Sequence, residues 1–371
     1  MFGTFTEDQE QLRGVVRGFL ADKSPESEVR RLMETEEGYD PAVWTQMGRE
    51  AGLQGIAIPE QYGGQGAGWT ELGIVLEEAG RALLCAPYFA TVVLAATTLL
   101  ESDDEEAKQQ YLPAIADGSL IATVALTEEG GRWDAEGVTL PATPTPDGWT
   151  LTGAKHFVLD GTTAKLIIVP AITASGISLF AVDADAAGVT RRPSITLDQT
   201  RKLAVVEFDA TPARLLGTEG GGWRILQRVL DFAAVGLAAE QAGGAQAVLD
   251  QSTEYLKTRV QFGQPIGAFQ ALKHMAADVL VEVESAKSAA YYALEAASQD
   301  NDELPAAASL AKAYCSEAFV TAAHQNIQFH GGMGFTWEVA AHLFYKRARS
   351  SEVFLGDAFA HREALAQRIG V

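Results

Sequence analysis

The chain has 371 residues, 47% of them hydrophobic, with 28 Lys and Arg against 49 Asp and Glu for a net charge of −21. That length and apolar content supply core material for two to three domain-sized units and exclude intrinsic disorder, while the acidity argues against nucleic acid and membrane surfaces as partners. Cys85 and Cys315 are far apart and lack ligand-like spacing, so neither a disulfide framework nor a metal site is expected, and a reducing cytoplasm is the expected compartment.

The N-terminus has no basic stretch leading into an apolar one, as a signal peptide requires. Instead Thr6-Glu7-Asp8-Gln9 opens a helix through Leu12, Val15, Val16, Phe19 and Leu20. Helical patterns recur over Pro41–Ala51, Glu71–Leu84, Phe89–Leu100 and Glu105–Ala116, and the glycines and proline of Ile58–Gly66 force a loop between them. The longest apolar runs, such as the one near Ala90–Leu100, fall short of a bilayer span. Near Gly118 the character changes. Short β-branched segments at Ile121–Leu126, Trp149–Thr152, Leu166–Ala171, Ile177–Val182, Gly188–Thr190 and Leu203–Phe208, with turn signals between them, predict an antiparallel β domain. Helix returns over Trp223–Thr258, Phe269–Ser298, Pro305–Gln328, Val339–Ser350 and His361–Ile369. The reading is α+β, with a helical domain over 1–117, a β domain over 118–217 and a second helical domain over 218–371.

No hydrolase elbow, P-loop, H-E-x-x-H or dinucleotide fingerprint occurs. The histidines are scattered, and a lone helical histidine such as His274 or His324 reads as structural. Two segments stand out. Arg259-Val260-Gln261-Phe262-Gly263-Gln264-Pro265 puts a cationic fork at a helix end beside an aromatic ring, a pairing suited to phosphate. Gln328-Phe329-His330-Gly331-Gly332-Met333-Gly334-Phe335 offers bare backbone after a helix, which a ligand can approach closely. Either alone is weak, because a glycine pair after a helix is usually a cap.

Together, with Phe5-Thr6-Glu7-Asp8-Gln9, the Pro59–Gly66 loop and Leu126-Thr127-Glu128, these segments resemble the acyl-CoA dehydrogenase family along essentially the whole chain. The resemblance implies an amino-terminal helical domain, a middle β domain and a carboxyl-terminal four-helix bundle. It also implies FAD-dependent α,β-dehydrogenation of an acyl-CoA thioester, with a carboxylate taking the α-proton and an electron-transfer flavoprotein taking the electrons. Tetramers with flavin at a subunit interface are the family habit. In it, Arg259, Phe262, Gln328, Gly331 and Gly332 match residues that hold the neighbouring subunit's FAD. Leu126, Thr127 and Phe157 match residues that hold a subunit's own flavin.

The second set is degraded. The family pattern T-E-P-x-x-G-S-D becomes Thr127-Glu128-Glu129-Gly130-Gly131-Arg132-Trp133-Asp134, and Leu159 stands where a hydroxyl is expected. The usual base precedes the glycine of a Y-E-G segment, here Phe354-Leu355-Gly356, and the second known position falls near Ala233. Glu240 lies seven residues beyond Ala233, about two turns or ~10 Å along the same helix face. It is the first candidate base, with Asp357 and Glu352 weaker ones; an inter-helix hydrogen bond is the alternative role for Glu240. The glycines of Gly217–Gly222 and Gly243-Gly244 suit either extra room near a ligand or close helix packing.

Keeping the set that serves a neighbour while losing the set that serves itself favours one reading. The chain is then a subunit of a heteromeric α2β2 dehydrogenase, a type associated with bulky, notably steroid-derived, CoA thioesters. The alternatives are a self-sufficient homotetramer that uses Glu240 and a non-catalytic relative of the fold.

Overall fold

Thr6 begins the first helix as its neighbours dictate. In the computed structural model, which describes residues 5–371, Thr6 Oγ1 accepts from Gln9 N at 3.2 Å and Gln9 Oε1 accepts from Thr6 N at 2.9 Å. This reciprocal cap starts α1 (Glu7–Lys23). α2 (Glu26–Met33) has no counterpart in the sequence pattern; its eight residues leave too short an apolar stripe to register. Asp40 caps α3 (Pro41–Arg49) by accepting from Ala42 N at 2.8 Å. α4 (Trp69–Arg81), a π-helical stretch Phe89–Ala95 leading into α5 (Ala96–Glu101), and α6 (Glu105–Ala116) complete the first helical region.

Among the described residues seven strands follow: β1 (Ala122–Val124), β2 (Ala142–Thr145), β3 (Gly148–Leu159), β4 (Leu166–Thr173), β5 (Gly176–Asp183), β6 (Val189–Pro193) and β7 (Leu203–Leu216). They form one sheet in the order β1-β4-β5-β7-β3-β2, with β6 also paired to β7. The expectation of a wholly antiparallel domain is corrected at β1, which runs parallel to β4 with Ala122 opposite Leu166, and at a parallel bridge between Pro141 and Ile172. A parallel pair needs a long connection, and the β2–β3 hairpin lies within it. β2, absent from the sequence expectation, is an edge strand whose residues after Ala142 are exposed, so no apolar alternation marks it.

The last region holds α7 (Gly222–Thr258), the small hairpin β8 (Val260–Gln261) and β9 (Gln264–Pro265), α8 (Gln270–Gln299), α9 (Leu304–His330), α10 (Ala341–Val353) and α11 (Ala358–Ile369). No helix among the described residues is long and apolar enough to cross a membrane.

Packing divides the chain differently from sequence order. One unit joins the stretch up to Arg30 with Trp69–Leu84 and Ala234–Val371; the other joins Arg31–Gly68 with Cys85–Ala233. In the first, α4 and α7 meet backbone to backbone. A Cβ on Gly80 would lie 2.0 Å from Glu240 O, and one on Gly243 would lie 1.8 Å from Glu77 O. A Cβ on Gly244 would meet the Phe319 ring at 2.5 Å, so Gly243-Gly244 serves close packing. In the second unit, β4 and β5 supply a continuous apolar core, including Ile167, Ile168, Val169, Leu179, Phe180 and Val182.

Candidate functional site

The first motif sits where α7 ends. Arg259 N still donates to Tyr255 O at 2.9 Å, and the chain then reverses through β8 and β9. Two residues make the reversal, Phe262 at φ 53° and Gly263 at φ 79°. A tight hairpin turn needs consecutive left-handed residues; glycine adopts them readily and phenylalanine does not. Phe262 is also 92% exposed. Its ring meets the Phe269 ring edge-on at 6.0 Å but is otherwise held out in solvent, and such strain gathers at functional sites. Beneath the hairpin, Leu256, Ile266 and Phe329 form a buried cluster with Tyr255, Phe269, Leu272 and Met275 packed on it. This cluster fixes the hairpin to the start of α8 and the end of α9.

The second motif ends α9. Gly331, at φ 58°, caps the helix by donating to Gln328 O. Cβ atoms built on Gly331 and Gly332 would meet nothing within 4 Å, so open space fronts this backbone. Gln328 is exposed, and His330 stacks on Tyr255 with ring centres 4.0 Å apart.

Charge distinguishes the same place. In this unit most cations face a carboxylate, as Arg17 does Glu78 and Lys287 does Glu284. Lys257, Arg259 and Lys273 have no ion pair and no side-chain hydrogen bond among the described residues. Acids outnumber bases 49 to 28 in the chain, and these three exposed cations stand near the junction of α7, the hairpin and α8 without a carboxylate. The donor set fits FAD: cations for a diphosphate, an exposed aromatic for a ring system, and bare backbone at Gly331-Gly332 for close approach. Sequence reading missed Lys257, because lack of a partner is a property of the fold.

The β unit presents the opposite case. Thr127 Oγ1 donates to His156 O at 2.6 Å, and Thr127 O accepts from His156 N at 2.8 Å. Thr127 is buried, and its single hydroxyl proton is committed within the chain. Leu126 O accepts from Lys155 Nζ at 3.3 Å. Glu128 accepts from Lys155 Nζ and Thr139 N, both at 2.8 Å, and from Leu140 N at 2.9 Å. Burial pushes the Glu128 carboxyl up, but the bonds from Lys155 and Thr139 outweigh it and hold it at about 2. Burial pulls the Lys155 ammonium down while Glu128 opposes that. The loop's one arginine, Arg132, lies 2.7 Å from both Asp134 and Glu136. Leu159 is buried opposite Leu203 of β7. Phe157 faces outward, 46% exposed at φ 55° in a bulge of β3. The side-chain donors Thr127 and Arg132 are engaged within the chain, and over residues 128–136 four acids face one arginine.

The candidate bases each have another attachment. Glu240 is buried, with Oε1 3.1 Å from Arg347 Nη1 on α10, an inter-helix ion pair; Arg347 Nη2 also lies 3.4 Å from Leu84 O. Asp357 caps α11 by accepting from Ala360 N at 2.8 Å, and Glu352 pairs with Arg349 at 2.6 Å. Leu355, where the family pattern has a carboxylate, is buried at φ 64°. Its turn is held from below: Lys312 Nζ donates to Glu352 O at 3.1 Å and Gly356 O at 2.9 Å. Ala233 is wholly buried within α7.

Helices, a predominantly antiparallel sheet and a long helical region form the architecture expected of a flavoprotein dehydrogenase of the acyl-CoA class. Family models agree along the chain: acyl-CoA dehydrogenase N-terminal domain over residues 6–119, middle domain over 123–209 and C-terminal domain over 220–370. The acyl-CoA dehydrogenase IpdE2 of Mycolicibacterium smegmatis is 34% identical over 351 residues, covering 95% of each chain. A solved variant of the Tcur3481–Tcur3483 steroid ACAD is 33% identical at TM-score 0.89, over 98% of both chains. The ChsE4–ChsE5 complex of Mycobacterium tuberculosis is 27% identical at TM-score 0.90, over 99% of this chain and 98% of that one. The chain therefore belongs to the acyl-CoA dehydrogenase family, oxidoreductases acting on acyl-CoA with FAD as cofactor.

Proposed function

We propose that this chain is one subunit of a heteromeric α2β2 acyl-CoA dehydrogenase and completes a flavin site held mainly by a second dehydrogenase-like chain. The observation that carries this reading is the contrast in available donors. Lys257, Arg259 and Lys273 are unpaired and the backbone at Gly331-Gly332 is open, whereas Thr127 and Glu128 are engaged by His156 and Lys155 of β3 and Arg132 by Asp134 and Glu136. Arg259 offers a planar fork to diphosphate oxygens, Lys257 and Lys273 add charge, Phe262 covers an aromatic face, and Gln328 offers an amide to the polar edge. When bound, FAD supplies the hydride acceptor for α,β-dehydrogenation of the thioester. The proton at Cα then falls to a carboxylate of the second chain, since the turn at Leu355 has none. Two relatives of this fold, Tcur3481–Tcur3483 and ChsE4–ChsE5, are two-component assemblies, and the first is a steroid ACAD. By analogy the substrate is a bulky, steroid-derived acyl-CoA, and an electron-transfer flavoprotein is the electron acceptor.

The self-sufficient reading has one observation in its favour, a buried carboxylate at Glu240 on α7. Against it stands Arg347, which engages that carboxylate at 3.1 Å. Expression of the chain alone and with a second dehydrogenase-like chain, followed by flavin content and assembly mass, separates the readings. The heteromer reading expects little flavin on the isolated chain and about one FAD per pair of unlike chains. One FAD per chain with turnover by this chain alone overturns it. In that case Glu240→Gln tests the base: lost turnover with flavin retained assigns it, and retained turnover removes it.

A further inference from the structure

A cleft of about 660 Å³ opens among α1, α4, α7 and α8, and none of its lining residues belongs to the flavin motifs or to the candidate bases. Helix faces that pack together are ordinarily apolar, yet these bring charge to the cleft at helical spacing, as Glu10, Arg13 and Arg17 do on α1. One part of the lining is a closed network. Arg13 reaches Glu77 at 2.7 Å, with its guanidinium carbon 4.6 Å from the centre of the Phe5 ring, and the Tyr291 hydroxyl donates to the same carboxylate at 3.0 Å. Arg17 engages Glu78 through Nε and Nη2, at 2.9 and 2.7 Å. The rest is less committed. Arg17 Nη1 has no hydrogen bond among the described residues, and Arg81 holds Asp250 through Nη2 alone. Glu284 meets Lys287 at 3.0 Å through Oε1 alone, and Glu10 has only Arg13 Nε, 3.6 Å away. Unused donors and unused acceptors therefore line one cleft.

We propose that this cleft binds a small zwitterion of the basic amino-acid type. Arg17 and Arg81 take its carboxylate, and Glu10 and Glu284 take its ammonium groups. The presence of both signs is the first argument. A bare anion would satisfy the arginines and leave the acids unmatched, and a bare amine would do the reverse. The balance is the second. Five carboxylates line the cleft against four cations, so a ligand with one more positive than negative charge complements it. The third is the character of the walls. The volume lies in the small-molecule range, but Phe5 and the Tyr291 ring are the main apolar surface, too little for an acyl chain or a flavin. Glu10 and Glu284 are both exposed, so each is reachable from solvent. The proposal is independent of which chain holds the flavin.

The test is calorimetric titration of the full chain at low salt with L-lysine, and with cadaverine, which is lysine without its carboxylate. Wild type should bind lysine saturably and cadaverine about tenfold more weakly. Glu284→Gln, Glu10→Gln and Arg81→Gln should each weaken lysine binding about tenfold, since each removes a hydrogen bond to a charged group. The rise in melting temperature that lysine produces should shrink in step. Without ligand the three variants should melt close to wild type, because these side chains lie outside the buried Arg13–Glu77 pair. Absence of saturable lysine binding to wild type would overturn the site. Equal affinity for cadaverine would overturn the zwitterion, and wild-type affinity in all three variants would place the binding elsewhere and overturn this cleft as its seat.

Discussion

His361 carries a consequence in its two ring nitrogens. Nε2 lies 3.0 Å from Leu355 O, while Nδ1 is buried with no partner. Burial pulls the ring down to about 4, with the nearby Lys312 charge adding to it. A histidine whose folded value lies below its unfolded one binds more protons when unfolded, so folding loses stability as pH falls from about 6.5 towards 4. The loss reaches about 3 kcal/mol, since each pH step between the two values is worth about 1.4 kcal/mol. Urea unfolding between pH 7 and 4 should show this slope, and His361→Gln, which keeps a donor for Leu355 O, should flatten it. An unchanged slope would mean that other groups control the acid limb. Lys312 has an effect of the same sign in a higher pH window. Burial pushes it down to about 8, so its penalty is relieved as pH rises from 8 towards its unfolded value. At this scale the sequence is legible only in part. Arg259, Phe262 and Gln328 declare themselves by motif, but the unpaired state of Lys257 and Lys273 exists only once the carboxylates have found their other partners.

Between helices, glycine decides how closely backbones approach. At the α4–α7 crossing a Cβ on Gly243 would lie 1.8 Å from Glu77 O, a backbone atom that cannot swing aside. Gly243→Ala should therefore destabilise by about 1–3 kcal/mol, the usual cost of overpacking, or more if the helices must separate. Gly14 is the control. It is exposed inside α1 with nothing within 4 Å of its would-be Cβ, so Gly14→Ala should stabilise by about 0.5–1 kcal/mol through helix propensity. Thermal melts of the two variants should shift in opposite directions; a shared direction would contradict the packing argument. Periodicity makes the long helices legible from sequence, α7 within one residue of its start. It fails for α2, too short, for β2, exposed at the sheet edge, and for the parallel β1–β4 pairing, because strand direction leaves no mark in side-chain alternation.

For the molecule as a whole, sequence order and packing order differ. Composition changes near residues 118 and 217 suggest three consecutive domains, yet one compact unit draws on three separated segments. Its joints are charged as well as apolar. Arg13 of α1 is 8% exposed and lies 2.7 Å from Glu77 and 3.5 Å from Glu78, while Arg17 holds Glu78 at 2.7 Å and the Tyr291 hydroxyl of α8 donates to Glu77 at 3.0 Å. Removing one partner strands buried carboxylates, so Arg13→Met should lower stability by about 3–5 kcal/mol, the usual penalty for breaking a buried pair. The same network means that residues 218–371, though they read as a domain, lack both helices that complete their core. Leu294 of α8, for example, packs so tightly against α4 that a Cβ on Gly73 would lie 2.4 Å from it. The isolated fragment should bind a hydrophobic dye, show weak near-ultraviolet dichroism and unfold without a sharp transition. Adding α1 and α4 segments in trans should sharpen that transition if their docking is the missing energy. A fragment that unfolds cooperatively by itself, with the near-ultraviolet spectrum of the bundle intact, would show that α1 and α4 decorate this unit rather than build it.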